Sequence, residues 1–119
     1  MQLQSGMIGV DQGSFELFSD FADGGEMWTG HGPRERSRRV KFKEKYRQAP
    51  TVHVSLSMWD TDNGANQRAE LSTTSITKDA FTVVFRTWGD SRVARVRVSW
   101  MAIGELAVDN DWMLYDTGS

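Results

Sequence analysis

The residues best suited to chemistry surround a short polar turn. Trp88-Gly89-Asp90-Ser91 separates two apolar, strand-like runs in the segment FTVVFRTWGDSRVARVRVSWMAIG, residues 81–104. An indole at the edge of a turn is hard to explain by packing alone, and an aspartate follows close behind it. A rigid turn that presents an aromatic ring and polar groups suits a binding surface. It supplies no catalytic machinery. Catalytic constellations are scarce elsewhere too. His31 and His53 lie far apart and have no metal-ligand spacing to each other. Asp60-Thr61-Asp62-Asn63-Gly64 has the outline of a calcium loop but lacks the closing glutamate and flanking helices of an EF-hand, so it reads as a turn. Ser5, Ser14 and Ser19 have no nucleophile context. Asp109 and Asp111 are carboxylates of the kind used in glycoside hydrolysis, with nothing to place them in a cleft. The chain has no cysteine, which excludes disulfides, Cys-bound metals and thiol nucleophiles. The sequence therefore predicts a protein that is not an enzyme and uses no cofactor or metal.

Composition narrows the class further. The 119 residues are 39% hydrophobic and 25% charged, with a net charge of −2. That is one folded domain with no overall pull toward nucleic acid or membrane. Eight of the 14 Lys and Arg residues lie between Arg34 and Arg47. Such a stripe either binds phosphates or forms the solvated face of a strand. It lacks the interleaved aromatics of a single-strand binder, so no nucleic-acid partner is expected. No apolar run reaches transmembrane length, so no membrane insertion is expected. MQLQSGMIGVDQG lacks the basic start and apolar stretch of a signal peptide. The location stays open between an intracellular one, export by another route and a virion, with an extracellular, virion or other surface-exposed location favoured.

The elements that must hold the turn are strands. Val93 to Ile103 alternates, with Ala94, Val96, Val98, Trp100 and Ala102 against Arg95, Arg97 and Ser99. Thr51 to Trp59 alternates as clearly, with Val52, Val54, Leu56 and Met58 on one face and Thr51, His53, Ser55 and Ser57 on the other. Leu3 to Val10 reads as a first strand ended by Asp11-Gln12-Gly13. Phe15, Leu17 and Phe21 mark a second short piece. Asp20 to Pro33 reads as a long loop, Arg38 to Lys43 and Arg68 to Ile76 as further strands, and Phe81 onward as the first arm of a hairpin. No stretch has a helical period. About six strands separated by turns predict an antiparallel β-sandwich. Trp100, Phe42, Phe81, Val52 and Leu56 are core candidates.

The ordered residues Gln4-Ser5-Gly6, Ile8, Arg34-Glu35, Val40, Phe42, Pro50, Asp60, Asn66-Gln67-Arg68, Phe81, Thr87-Trp88 and Val98-Ser99-Trp100 resemble the H-type lectin family. This is the small domain of snail agglutinins and of the discoidin C-terminal region. The resemblance spans residues 1–104 and leaves residues 105–119 as a C-terminal extension. It implies a six-stranded antiparallel β-sandwich, assembly as a homotrimer, and a shallow site near the interface between protomers for galactose or N-acetylgalactosamine-type glycans. Arg68 matches an arginine that hydrogen-bonds sugar oxygens, and Trp88 an aromatic beside the sugar. The loop at Gly30-His31 matches one that offers backbone groups and an aspartate. An indole suits the apolar face of a pyranose, and a guanidinium fork suits its vicinal hydroxyls.

The chain also departs from the family pattern. Gly89, followed by Asp90, stands where the agglutinins have a histidine, Ala94 where they have a tyrosine, and His31 near the loop aspartate. The expected carbohydrate-binding residues are thus Arg68, Trp88, Gly89, Asp90, His31 and Gly30, with Asp90 and His31 rebuilding the polar part of the site. Each has an alternative role. Trp88 covers the sandwich edge in the other reading, and Arg68 pairs with Asp60 or Glu70. The competing function is a structural or adhesive trimerisation module of a virion or surface assembly that binds no sugar. Trp112, Met113, Leu114 and Tyr115 would then meet a protein partner or fold back as an edge strand.

Overall fold

Strands whose side chains alternate between apolar and polar can bury only one face, and two such sheets satisfy each other by packing face to face. The computed structural model describes residues 6–107 and has this arrangement. Along the chain run β1 (Ile8–Ser19), α1 (Glu26–Thr29), β2 (Arg34–Lys41), β3 (Thr51–Thr61), β4 (Glu70–Thr74), β5 (Ala80–Thr87) and β6 (Val93–Glu105). One sheet has the order β1-β6-β3 and the other β2-β5-β4, and all pairings are antiparallel. This is the expected six-stranded sandwich.

The two central strands carry the core. On β5, Phe81, Val83 and Phe85 are buried, and on β6 Val96, Val98, Trp100 and Ala102 are buried. Trp100 meets Phe81 edge-on at 5.2 Å between ring centroids and lies 6.0 Å from Phe42. Leu106 continues beyond β6 to bridge Tyr46. Trp112, Met113, Leu114 and Tyr115, like Gln4 and Ser5, lie outside the described residues.

Several expectations about the elements need correction. Ile8 to Val10 of the first expected piece and Phe15 and Leu17 of the second lie on one strand, β1, which passes through Asp11-Gln12-Gly13 without a break; Leu3 lies outside the described residues. Its inward positions opposite Ala102, Trp100 and Val98 are Asp11, Gly13 and Phe15, so the apolar alternation is broken at Asp11 and Gly13. Asp11 is tolerated there because Oδ2 accepts from the Lys43 amide at 2.8 Å and Oδ1 from the Gln12 amide at 2.9 Å. Gly13 leaves room for Trp100, whose indole nitrogen would lie only 2.8 Å from a Cβ.

Strand β3 carries a bulge between Leu56 and Met58, which reverses its alternation. Val52, Val54 and Leu56 face inward as expected, but Trp59, not Met58, then pairs with buried Val96.

The turn at Trp88–Ser91 does not close a hairpin. β5 and β6 belong to different sheets, so the turn is a corner that carries the chain across the sandwich. The long loop contains the single turn of α1, and β2 begins at Arg34.

Antiparallel pairing gathers three connections at one end of the sandwich: residues 20–33, 62–69 and 88–92. The expected site residues all lie on these three segments.

Candidate functional site

Arg34 fastens the end loops together. The residue is 7% exposed and all its guanidinium donors meet backbone carbonyls. Nε donates to Gly32 at 2.9 Å, Nη1 to Met27 at 3.2 Å and Glu26 at 3.3 Å, and Nη2 to Ser91 at 2.8 Å and Gly89 at 3.2 Å. Burial pushes its pKa down, with the Glu26 carboxylate acting in the opposite direction. The fork geometry of guanidinium permits this, and the short ammonium of lysine would not. The Gly32 amide donates to the Gly89 carbonyl at 3.0 Å. The loop that contains His31 is therefore held against the turn that contains Trp88.

Across that turn, Arg68 Nη1 donates to Asp90 Oδ1 at 2.6 Å. The pair is partly exposed, with Arg68 at 35% and Asp90 at 53% side-chain exposure. Asn66 supports it from the same segment. Its amide N–H lies 3.4 Å from Asp90 Oδ2, and its carboxamide nitrogen 3.3 Å from that same oxygen. Asp90 is held below the usual carboxylate range by the Asn66 N–H first. The Arg68 guanidinium and the Asn66 carboxamide add to this, against the cost of desolvation.

Ser91 is 1% exposed and ties the two segments together: its hydroxyl donates to the Asn66 carbonyl at 2.5 Å and accepts from the Arg68 amide at 2.9 Å. The Thr87 hydroxyl donates to the Arg68 carbonyl at 2.5 Å. Gly89 adopts φ +69°, and a Cβ there would sit 3.2 Å from Arg68 Nη1. A glycine thus permits both the left-handed turn and the close approach of the guanidinium.

The structure brings Arg68, Gly89 and Asp90 into direct contact and leaves Trp88 beside them with 43% of its surface exposed. Among the described residues, Arg68 Nε and Nη2 have no protein acceptor. Asp60 and Glu70, the alternative partners, are occupied elsewhere: Asp60 pairs with Arg95 and Glu70 with Arg86. His31 is exposed on the neighbouring loop and makes no hydrogen bond or ion pair with Arg68 or Asp90. The Gly30 amide is engaged by the Glu26 carbonyl at 2.7 Å. A Cβ at Gly30 would lie 2.6 Å from that oxygen and 3.0 Å from Arg34 Cδ, so Gly30 shapes the loop.

Asp62 in the DTDNG segment accepts from the Gly64 amide at 2.8 Å and pairs with Arg92 at 3.2 Å. Arg92 also lies 4.3 Å over the Trp28 ring and donates to the Trp28 carbonyl at 2.9 Å.

The sequence reading gave Arg34 and Asn66 only as residues of the family pattern and Ser91 only as part of the turn, and assigned a site role to none of them nor to Trp59. Arg34 was detectable. It has the parity of Val40 and Phe42, so Arg34, Arg36 and Arg38 belong to the inward row of β2, opposite Thr87, Phe85 and Val83. Arg36 pairs with Asp20 at 2.9 Å, and Arg38 lies 4.4 Å over the Phe15 ring. Three of the eight residues of the basic stripe are thus not on the outer face. They close the side of the sandwich between β1 and β2. Trp59 was hidden by the bulge, which no residue type announces.

The chain matches the H-type lectin domain over residues 37–103. It is 54% identical over 105 residues to a Fuscovulum blasticum protein named ATP synthase subunits region ORF 7, across 88% of this chain and 91% of that protein. It is 32% identical over 75 residues to a discoidin-1 polypeptide of Dictyostelium discoideum, across 62% of this chain and 30% of the discoidin. Recombinant discoidin II of Dictyostelium discoideum shares the fold, with a TM-score of 0.71 over 87% of this chain and 40% of that one at 23% identity. The chain therefore spans most of the first relative but less than half of the discoidins. The matched stretch includes Arg68, Trp88, Gly89 and Asp90, and the sandwich that carries them is the one the discoidins share: the chain belongs to the H-type lectin domain family.

Proposed function

We propose that the chain is a carbohydrate-binding lectin whose shallow site lies between the Trp88–Asp90 turn and Arg68. The observation that carries this reading is the partnering of Arg68. Asp90 fixes one guanidinium nitrogen and leaves two donor groups free beside an exposed indole. Vicinal hydroxyls of a galactose or N-acetylgalactosamine-type ring would accept from those donors while its C–H face lies on Trp88. His31, on the loop tied to Gly89, closes the site from its own or a neighbouring protomer. Stacking and charge-assisted hydrogen bonds would each contribute on the order of 1–3 kcal/mol. Single-site affinity is then weak, and useful binding comes from several sites engaging one surface.

A homotrimer would supply that multiplicity. The outward face of the β1-β6-β3 sheet supports one. It exposes Ile8, Val10 and Met101 at 45%, 59% and 47%, next to the small or polar Ser55, Ser57 and Arg97.

Calorimetric titration with methyl galactosides and N-acetylgalactosaminides tests the site. Arg68→Ala and Trp88→Ala should each lower affinity by roughly tenfold or more while the melting temperature stays nearly unchanged. Unaltered binding in both folded variants would refute the assignment. If wild-type protein bound no glycan, the chain would instead be a structural or adhesive module with this fold.

A further inference from the structure

A cleft of about 260 Å³ opens where the edge strands β3 and β4 part. Its floor is Leu56, Phe85 and Val93, and its rim includes Trp59, Asn66 and Arg68. Trp59 is 56% exposed. It faces this way because the bulge between Leu56 and Met58 puts it on the inward row opposite Val96. An indole at the mouth of an apolar slot, rather than on an outer face, is a wall for a ligand. The volume is slightly below the roughly 300–1,000 Å³ of drug-sized pockets, so the occupant is about one ring in size. Of the polar lining, Ser91 is committed to Asn66 and Arg68 and the Asn66 carboxamide to Asp90, while Thr61, Gln67 and Arg68 complete the wall. The floor is apolar, and an apolar group displaces water from Leu56, Phe85 and Val93 without loss.

Arg68 lines the cleft and also holds Asp90, so the cleft and the turn share one residue. We propose that this cleft takes the apolar aglycone of a glycoside whose sugar is held at Arg68 and Trp88, which makes the ligand class aryl or short-alkyl glycosides rather than free sugars. The proposal rests on the lectin reading above, but its contacts, at Trp59, are separate from those of the sugar at Trp88.

The test compares phenyl β-galactoside with methyl β-galactoside on the full chain, by titration and by the indole N–H resonances of Trp59 and Trp88. The phenyl compound should bind roughly 5–10-fold more tightly and shift the Trp59 resonance, which the methyl compound leaves in place. Trp59→Ala should remove that preference and leave methyl galactoside affinity as it was. Trp88→Ala should weaken both compounds. Equal affinity for the two glycosides, or a preference that survives Trp59→Ala, overturns the cleft assignment while leaving the sugar site intact. A Trp59 shift from the phenyl compound with no response anywhere to the methyl compound upholds the cleft and overturns the sugar reading. Absence of any response to either compound overturns both.

Discussion

Asp90 shows how a single exposed carboxylate can be fixed in place. Its oxygens accept from the Asn66 amide, the Arg68 guanidinium and the Asn66 carboxamide, all of which favour the ionised form. An unfolded aspartate titrates near 3.9, and folding lowers this one. The stabilising contribution of Asp90 is therefore fully present above about pH 4 and is lost as pH falls through its lower folded value. The carboxyl carbon resonance of Asp90 should accordingly titrate with a midpoint below about 3.9. Arg68→Ala should return the midpoint only part of the way, because the Asn66 amide is the larger cause. A midpoint at or above the ordinary value would mean that the Arg68–Asp90 pair does not form in solution. Gly89 and Asp90 stand out in the sequence as turn chemistry, whereas Arg68 is reached only through the family resemblance, and its pairing with Asp90 was not foreseen. Gly89, at φ +69°, permits the close approach. Asn66 and Ser91 were not legible, because their roles run through backbone contacts between segments distant in sequence.

At the level of elements, the end loops depend on Arg34. Replacing it by methionine removes the guanidinium from five carbonyls; those of Glu26 and Gly89 keep the Gly30 and Gly32 amides, and those of Met27, Gly32 and Ser91 lose the side-chain donor they have. Arg34→Met should lower unfolding free energy by about 2–4 kcal/mol and accelerate hydrogen exchange at the Gly32 amide, which bonds to Gly89. Arg39, exposed and bonded to Ser75 and Thr82, is the control, and Arg39→Ala should cost under about 1 kcal/mol. Equal losses in denaturant unfolding would show that the buried fork does not organise the loops. Strand positions were readable wherever alternation was unbroken, as in β6 and the first half of β3. They were not readable in β1, where Asp11 and Gly13 occupy inward positions, nor past the β3 bulge. The corner at Trp88–Ser91 looks like a hairpin in sequence because turn chemistry is local, whereas sheet membership of the flanking strands is set by distant pairings.

At the scale of the whole molecule, the sandwich gathers the candidate site residues at one end and carries an apolar-and-polar sheet face along its side. Ile8, Val10 and Met101 on that face suit a symmetric contact. Light scattering at micromolar concentration should report a trimer, and a monomer would leave the multivalent part of the proposal without support. Binding should also survive chelation. Among the described residues no cluster of three or more His, Asp or Glu side chains could hold a metal, and Asp62 is bonded to Gly64 and Arg92. A loss of binding in EDTA would bring the DTDNG loop back into question. No helix of the described residues is long and apolar enough to cross a membrane. The central claim is that this H-type lectin domain reads sugars through Arg68. A glycan array probed with wild-type protein and with Arg68→Ala tests it most directly. Retention of galactose-type glycans by the wild type and their loss from a folded, equally oligomeric Arg68→Ala protein is the predicted result; identical binding patterns for the two proteins would contradict it.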